Sequence, residues 1–323
     1  MESRNLTMEG FVLLGLSEKP NLRIPLFSFF MTAYGICILG NALISALILT
    51  QNQLHTPMYM LLGNLSLVDV WLASITVPKA LSGLLSRNND ISFHGCFLQL
   101  FFFHAVGNMD SFLLAIMALD RYAAICQPLR YSTIMSKRMC ICLIASSWLI
   151  VCLHSTLFTI MTSTLPFCFS IVHHFFCDVP ALLMISCIDT TDRQLVVFIE
   201  GSLIVMGPML FILGSYTLII RAVLKLRTSC GRRRTFSTCS SHLTVVIIFY
   251  SSVIFMYFRP SSLYSPVYDR VVSVTYSVLT PMLNPFIYSL RNKEVKAAVK
   301  RVIQFKGNEG ERWTQKGESP TNI

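Results

Sequence analysis

The stretch MALDRYAAICQPLRY (Met117–Tyr131) sets an acid and an arginine side by side, Asp120–Arg121, directly after the apolar run SFLLAIMAL. What that pair does depends on the solvent in which the apolar run lives. Of the 323 residues, 54% are hydrophobic and only 13% are charged, about half the charge usual in a soluble domain. Working outward from Met117, apolar runs recur along the whole chain, each long enough to cross the ~30 Å core of a bilayer. There are seven: Ile24–Thr50, Pro57–Pro78, Gly95–Leu119, Met139–Leu165, Leu195–Ile220, Phe236–Phe258 and Val271–Leu290. No soluble fold needs seven such stretches. The expected fold is an all-α membrane protein, a seven-transmembrane helix bundle over residues 24–290, in which Asp120–Arg121 marks the point where the third helix leaves the membrane.

The distribution of positive charge orients the bundle. The segments Arg121–Arg138, Arg221–Arg234 and Arg291 onward hold 4, 6 and 8 Lys or Arg, 18 of the 26 in the chain. Cytoplasmic loops attract such residues, so the amino terminus (1–23) is expected outside and the carboxyl terminus inside. The opening residues MESRNLTMEGFVLLGLSEKP lack an apolar core ending in a small-residue cleavage site, so the first span reads as an uncleaved anchor. Anionic lipid and a cytosolic partner account for the net charge of +10 without nucleic acid.

On this topology Cys96, Cys168, Cys177 and Cys187 lie on the oxidising side, where four cysteines allow three pairings. The other seven cysteines fall in spans or on the cytosolic side and read as packing residues. Asn5-Leu6-Thr7 is an outward glycosylation sequon, whereas Asn64-Leu65-Ser66 lies within span two. The second outer loop, roughly Pro166 to Gln194, is long and holds HHFFCDVP, which reads as a folded lid. After span seven, residues 291–306 place Val295, Val299, Val302 and Ile303 at helical spacing among lysines and an arginine, an amphipathic helix on the inner leaflet. The tail 307–323 is polar.

Ionisable groups inside spans are costly and usually functional. Asp69, Asp110 and Glu200 are the acids, and His104, His154 and His242 the imidazoles. A lone imidazole in a span is most simply a hydrogen-bonded core residue. Asp110 and Arg121 lie eleven residues apart, three helical turns, and so share the inward side of span three. Asp69 sits at about the depth of Asp110, and two interior carboxylates at one level point to a small cation between them.

Four motifs carry a resemblance. LHTPMYMLLGNLSLVD (Leu54–Asp69), MALDRYAAICQPLRY, RRTFSTCSSHLTVVIIFY (Arg233–Tyr250) and PMLNPFIYSLRNKEV (Pro281–Val295) closely resemble the mammalian odorant receptors, rhodopsin-like class A receptors that couple to G proteins. The resemblance runs from about Gly10 to Lys300. Leu119, Thr235 and Ser251 depart from the family's usual residues, and none of the three removes a charge. The resemblance implies an interior polar network of Asn41, Asp69, Asn284 and Tyr288, with a sodium ion at Asp69 and Asp110. It implies G-protein coupling through Asp120, Arg121, Tyr122, Tyr216 and Tyr288, with Arg121 freed from Asp120 on activation. Trp148 and Pro285 resemble the family's packing and kink residues. The implied bridges are Cys96–Cys177, tying the lid to helix three, and Cys168–Cys187 within the lid.

The expected function is that of an odorant receptor without enzymatic activity or cofactor. Its expected partners are a small volatile ligand, a stimulatory olfactory-type heterotrimeric G protein and membrane lipid, and its expected place is the plasma membrane of olfactory cilia. His104, Asn108 and Ser111 form one polar stripe on helix three, in the outer half of the bundle where the family's ligands sit. Glu200 and Ile204 of helix five, and Tyr250, Ile254 and Tyr257 of helix six, complete the expected pocket. Asn108 and Tyr257 are expected to orient the ligand's polar atom, and Ile204 and Ile254 to limit its length. Amine reception is disfavoured by Phe103 at the position where an acid would stand, and opsin chemistry by the lack of lysine in Val271–Leu290. A class A receptor for a peptide or other small molecule is the alternative. A transporter is more remote, because the two halves of the chain show no matching pattern. HHFFCD could hold a metal, but lid packing is the simpler reading.

Overall fold

The computed structural model describes residues 9–17, 19–86, 89–225, 229–258, 265–291 and 295–298. A chain in hydrocarbon must satisfy its backbone N–H and C=O groups internally, and a helix does so within each segment. The long helices are α1 (Arg23–Thr50), α2 (Pro57–Ser86) and α3 (Phe93–Cys126), followed by a single turn, α4 (Tyr131–Ile134), and α5 (Lys137–Ser163). A short helix, α6 (Val179–Leu183), precedes α7 (Thr191–Gly201), which runs through a π-helical turn at Ser202–Met206 into α8 (Gly207–Leu224). Then come α9 (Ser229–Tyr257) and α10 (Pro266–Val274), the latter continuing through a second π-helical turn, Thr275–Leu279, into α11 (Thr280–Arg291).

Six helical runs among the described residues are long and apolar enough to cross a membrane: those of α1, α2, α3, α5, α7–α8 and the Cys239–Tyr257 part of α9. The α10–α11 run is the seventh helix of the bundle. Its Ser273, Ser277, Thr280 and Asn284 are buried, so polar side chains occupy its inward face and dilute its apolar character. Leu39, Leu49, Leu153 and Ile247 stand fully outward on their helices, as suits a surface bathed in lipid.

Helix α3 is the axis of the molecule. Of its apolar stretch 67% is buried, against 22% for α5, and α3 packs against α2, α5, α8 and α9. Serine side chains start both α3 and α5: Ser92 Oγ accepts from the Gly95 N–H at 3.1 Å, and Ser136 Oγ from Met139 N–H at 3.3 Å. α1 packs on α2 and α11. Gly40 permits the second contact, because a Cβ there would lie 3.1 Å from the Pro285 ring.

A small sheet closes one end of the bundle. Strand β1 (Gly10–Leu13) lies between β2 (Asp90–Ser92), with which it is antiparallel, and β3 (Ile171–Val172), with which it is parallel. Gly10 is needed for that pairing, since a Cβ would come within 2.3 Å of the Ile91 carbonyl oxygen. Phe11 is buried under the sheet, 5.2 Å from the ring of Phe167 and 5.9 Å from that of Phe93. Both disulfides lie at this sheet end: Cys96–Cys177 joins the first turn of α3 to the long loop, and Cys168–Cys187 closes the loop on itself.

Two expectations from the sequence fall largely elsewhere. Asn5 lies outside the described residues, as does most of the 291–306 segment. Residues 295–298 are helical, with Val295 and Ala298 buried in the main core.

Candidate functional site

Three groups of polar side chains interrupt the apolar interior. The first is at mid-depth. Asn284 Nδ2 on α11 donates to both carboxylate oxygens of Asp69 on α2, at 2.9 and 3.0 Å. Asn41 Nδ2 on α1 donates to the Pro281 and Cys37 carbonyls, each at 3.0 Å. The Asp69 carboxylate thereby ties α2 to α11, and Asn41 separately ties α1 to α11. Asp110 on α3 is also buried and close enough to interact electrostatically with Asp69. Asp110 Oδ1, Asn41 Oδ1, Asn284 Oδ1 and Tyr288 Oη have no hydrogen-bond partner among the described residues. Carboxylate, amide and phenol oxygens form the kind of hard-donor set that suits a small cation or ordered water. Among the described residues no three His, Cys, Asp or Glu side chains converge on a metal position.

The second group lies at the end of α3 opposite the sheet. Asp120 is wholly buried and Arg121 Nε and Nη2 both bond its Oδ2, at 3.0 and 2.5 Å. The other oxygen, Oδ1, accepts from Tyr131 Oη on α4 at 2.7 Å. Burial, and then the bond to Asp120, push the Tyr131 phenol above its ordinary range, so it stays a donor. Tyr131 closes the same motif as Asp120 and Arg121 but carried no role in the sequence reading. Nearby, Tyr216 on α8 bonds His242 Nδ1 on α9 at 2.9 Å, and His242 Nε2 bonds the Leu114 carbonyl of α3 at 3.0 Å. An imidazole that donates from Nε2 must accept at Nδ1 while neutral, so Tyr216 is the donor in the first bond. Tyr122 is half-buried against the core.

The third group surrounds a cavity beneath the sheet end. Its wall includes Phe103, His104, Gly107 and Asn108 of α3, His154 and Phe158 of α5, Gly201 and Val205 around the first π-helical turn, Phe249, Val253 and Tyr257 of α9, and Tyr276 of the second π-helical turn. Of the pocket residues read from the sequence, His104, Asn108 and Tyr257 therefore line it. Ser111, Glu200, Ile204, Tyr250 and Ile254 do not. Ser111 turns back to donate to the Asn108 carbonyl at 2.7 Å, and Gly201, Val205, Phe249 and Val253 stand one residue from the positions picked on helices five and six.

The loop between α5 and α7 forms the cavity's roof. Phe176 packs on Phe103 with ring centres 4.4 Å apart. Gln99 on α3 accepts from the Cys177 N–H at 3.0 Å and donates to the Ile75 carbonyl of α2 at 2.9 Å, so one side chain fixes loop, α3 and α2. The residues of HHFFCD separate. His174 is buried with Nε2 3.1 Å from Ser273 Oγ of α10, Cys177 is in the disulfide, and Asp178 turns inward. Burial pushes the His174 imidazole down to about 4 and the Arg270 charge adds to this, while Asp178 and the Phe176 N–H act the other way. Asp178 accepts from the Tyr257 hydroxyl at 3.1 and 3.2 Å and from Val179 N–H at 2.8 Å. His104 Nε2 lies 3.4 Å from Asp178 Oδ1, near it but not aligned as a hydrogen bond. Asp178, Gln99 and His154 were given no part in the sequence-based pocket. Asp178 could have been suspected as an acid within a lid too apolar to leave it unpaired.

Residues 30–306 match a family model described as olfactory receptor. The chain is 47% identical over 305 residues to olfactory receptor 1L6 of Homo sapiens, covering 94% of this chain and 88% of that one. It is 47% identical over 308 residues to olfactory receptor 1M1 of Mus musculus, covering 95% and 98%, and 45% identical over 299 residues to olfactory receptor 10G9 of Homo sapiens, covering 92% and 96%.

Proposed function

Because the chain belongs to the olfactory receptor family, multi-pass membrane receptors that couple to G proteins and are not enzymes, we propose that it binds a small volatile in the cavity beneath the sheet and activates a stimulatory olfactory-type G protein to raise cAMP. The observation that carries this reading is the cavity itself, largely apolar in its wall with a few directed polar groups, the usual form of a small-molecule site. The sheet end faces outward and the Arg121 end faces the cytosol, a reading supported by the 18 of 26 Lys and Arg that gather in the segments beyond that end. The plasma membrane of the olfactory cilium is the corresponding location, and Asn5 is glycosylated there.

Coupling runs through Arg121. At rest its guanidinium is held on Asp120 Oδ2, and the Tyr216–His242–Leu114 chain holds α8, α9 and α3 together. Outward movement of α9 breaks that chain and frees Arg121, whose planar fork then donates to carbonyls of the G protein. Asp69 and Asp110 would hold a sodium ion, whose positive charge would offset their two carboxylates in the resting form. The test is a cAMP dose–response to a panel of volatiles in cells co-expressing the stimulatory olfactory-type G protein. Arg121→Ala is expected to abolish the response at unchanged surface level, and a full response in that variant would sink the coupling role. Replacing medium sodium by choline should shift agonist potency in the unmodified receptor but not in Asp69→Asn. Equal potency in the unmodified receptor would rule out the ion.

A further inference from the structure

The polar side chains of the cavity wall differ in what they have left to offer a ligand. Tyr257 spends its hydroxyl on Asp178, and Tyr276 Oη lies 3.4 Å from Tyr257 Oη. His104 Nε2 also has no aligned hydrogen-bond partner among the described residues, but it lies 3.4 Å from Asp178 Oδ1, an acceptor that a small ring rotation would reach. Asn108 Nδ2 lies 3.3 Å from His154 Nδ1. An amide NH₂ can only donate, so His154 Nδ1 accepts and the neutral ring carries its proton on Nε2. That Nε2 is buried with no hydrogen-bond partner among the described residues, on a residue only 8% exposed. Phe158 lies against the imidazole with ring centres 4.4 Å apart and holds its plane. The cavity wall to which His154 belongs is otherwise mostly hydrocarbon, with Phe103, Phe158, Val205, Phe249 and Val253 in it.

A buried donor without an acceptor is a standing cost, and a ligand that brings the acceptor removes it. We propose that His154 Nε2–H is the polar anchor of the cavity, and that the ligand class is apolar molecules bearing a hydrogen-bond acceptor without a donor: ketones, aldehydes and esters. The inference rests on the odorant-receptor reading and narrows it. An alkylammonium ion would present donors to the Nε2 donor and could turn only to Asp178, whose oxygens already accept from Tyr257 and Val179. A carboxylate would enter a site already holding the buried charge of Asp178. Asn108 then acts as a positioning residue that sets the His154 tautomer.

The test compares the unmodified receptor with His154→Phe, which removes the donor, and His154→Gln, which retains an N–H donor. The probes share one size: 2-octanone, octanal and methyl heptanoate as acceptors, octylamine as a donor and nonane as a hydrocarbon. The readouts are cAMP and surface level. The acceptor probes are expected to activate the unmodified receptor. Their half-maximal concentrations should rise about tenfold or more in His154→Phe and stay within about threefold in His154→Gln, the effect of losing one directed hydrogen bond. If His154→Phe fails to reach the surface, the imidazole ¹⁵N resonances of purified unmodified receptor with 2-octanone decide the point. Displacement of the Nε2 resonance supports the anchor, and an unmoved resonance overturns it. Activation by octylamine or nonane with no dependence on residue 154 overturns the anchor and leaves the odorant reading standing. Silence of a surface-expressed receptor toward all five probes overturns the anchor, and silence toward the wider volatile panel overturns both.

Discussion

Asp120 has two oxygens and serves a different neighbour with each, Arg121 on Oδ2 and Tyr131 on Oδ1. The turn at Pro128–Arg130 folds the chain back so that α4 can bring Tyr131 against the end of α3. A hydrogen bond to a buried carboxylate is worth ~1.5–3 kcal/mol, and its loss strands the acceptor. Tyr131→Phe is therefore expected to lower the thermal stability of the purified receptor by that amount. Tyr131→Phe combined with Asp120→Asn should cost less than the sum of the two, because they share one bond. Additive losses in the melting temperatures would show that the phenol acts elsewhere. The motif drew attention to the acid and the arginine because charges in an apolar sequence stand out. A tyrosine among aromatics does not, and its importance comes only from a turn that brings it back across eleven residues.

At the scale of elements, a polar stripe fixes a helix's rotation and an evenly apolar helix hides it. On α3 the stripe of His104 and Asn108 marks the side that faces the cavity. Around Leu195–Ile199 of α7 and Val245–Phe249 of α9 apolar residues surround the axis, and in lipid no polar face distinguishes inside from outside. Spacing then gives the interval between wall residues without the phase, which is why Gly201 and Val205 stand where Glu200 and Ile204 were read, and Phe249 and Val253 where Tyr250 and Ile254 were read. The π-helical turn at Ser202–Met206 advances the chain out of the 3.6-residue repeat and moves the phase again. Cysteines are legible for the opposite reason, since few stand on that side and each must be accounted for. Cys96–Cys177 anchors the roof loop to α3, and Gln99 holds the next turn of α3 to the same residue's backbone. Cys96→Ser and Cys177→Ser are each expected to cost ~2–5 kcal/mol, seen as retention inside the cell. The double variant should be no worse than either single one, and a clearly additive deficit would point to a second partner for one of the cysteines.

Across the whole molecule, the roof is tied to the seventh helix through a group that must be neutral. His174 meets Ser273 of α10 and is faced by the charges of Asp178 and Arg270. Its folded value of about 4 lies below the ordinary 6.5, so between those values the unfolded chain binds more protons and stability rises with pH. Acidification from pH 7 to 5 should remove about 2 kcal/mol of the unmodified protein's stability through this group. Melting curves at the two pH values read it: His174→Gln should lose correspondingly less on acidification, and an identical loss in both proteins would place the sensitive group elsewhere. The sheet above that roof carries a consequence for the order in which the chain is completed. β1 is among the first segments made, yet Val12 pairs with Ile171 across 159 residues of sequence, and with Asp90 across 78. Contacts so distant along the chain close late. Until the second span is made the central strand has no edge to join, and its other edge stays open until β3 follows the fourth. The sheet is therefore a seam that can be completed only after the first four spans have been made. A receptor with β1 seated has its roof loop delivered to the same side as its first residues, and the seam records in one small piece of structure that the passes of the chain before it were made in the right number.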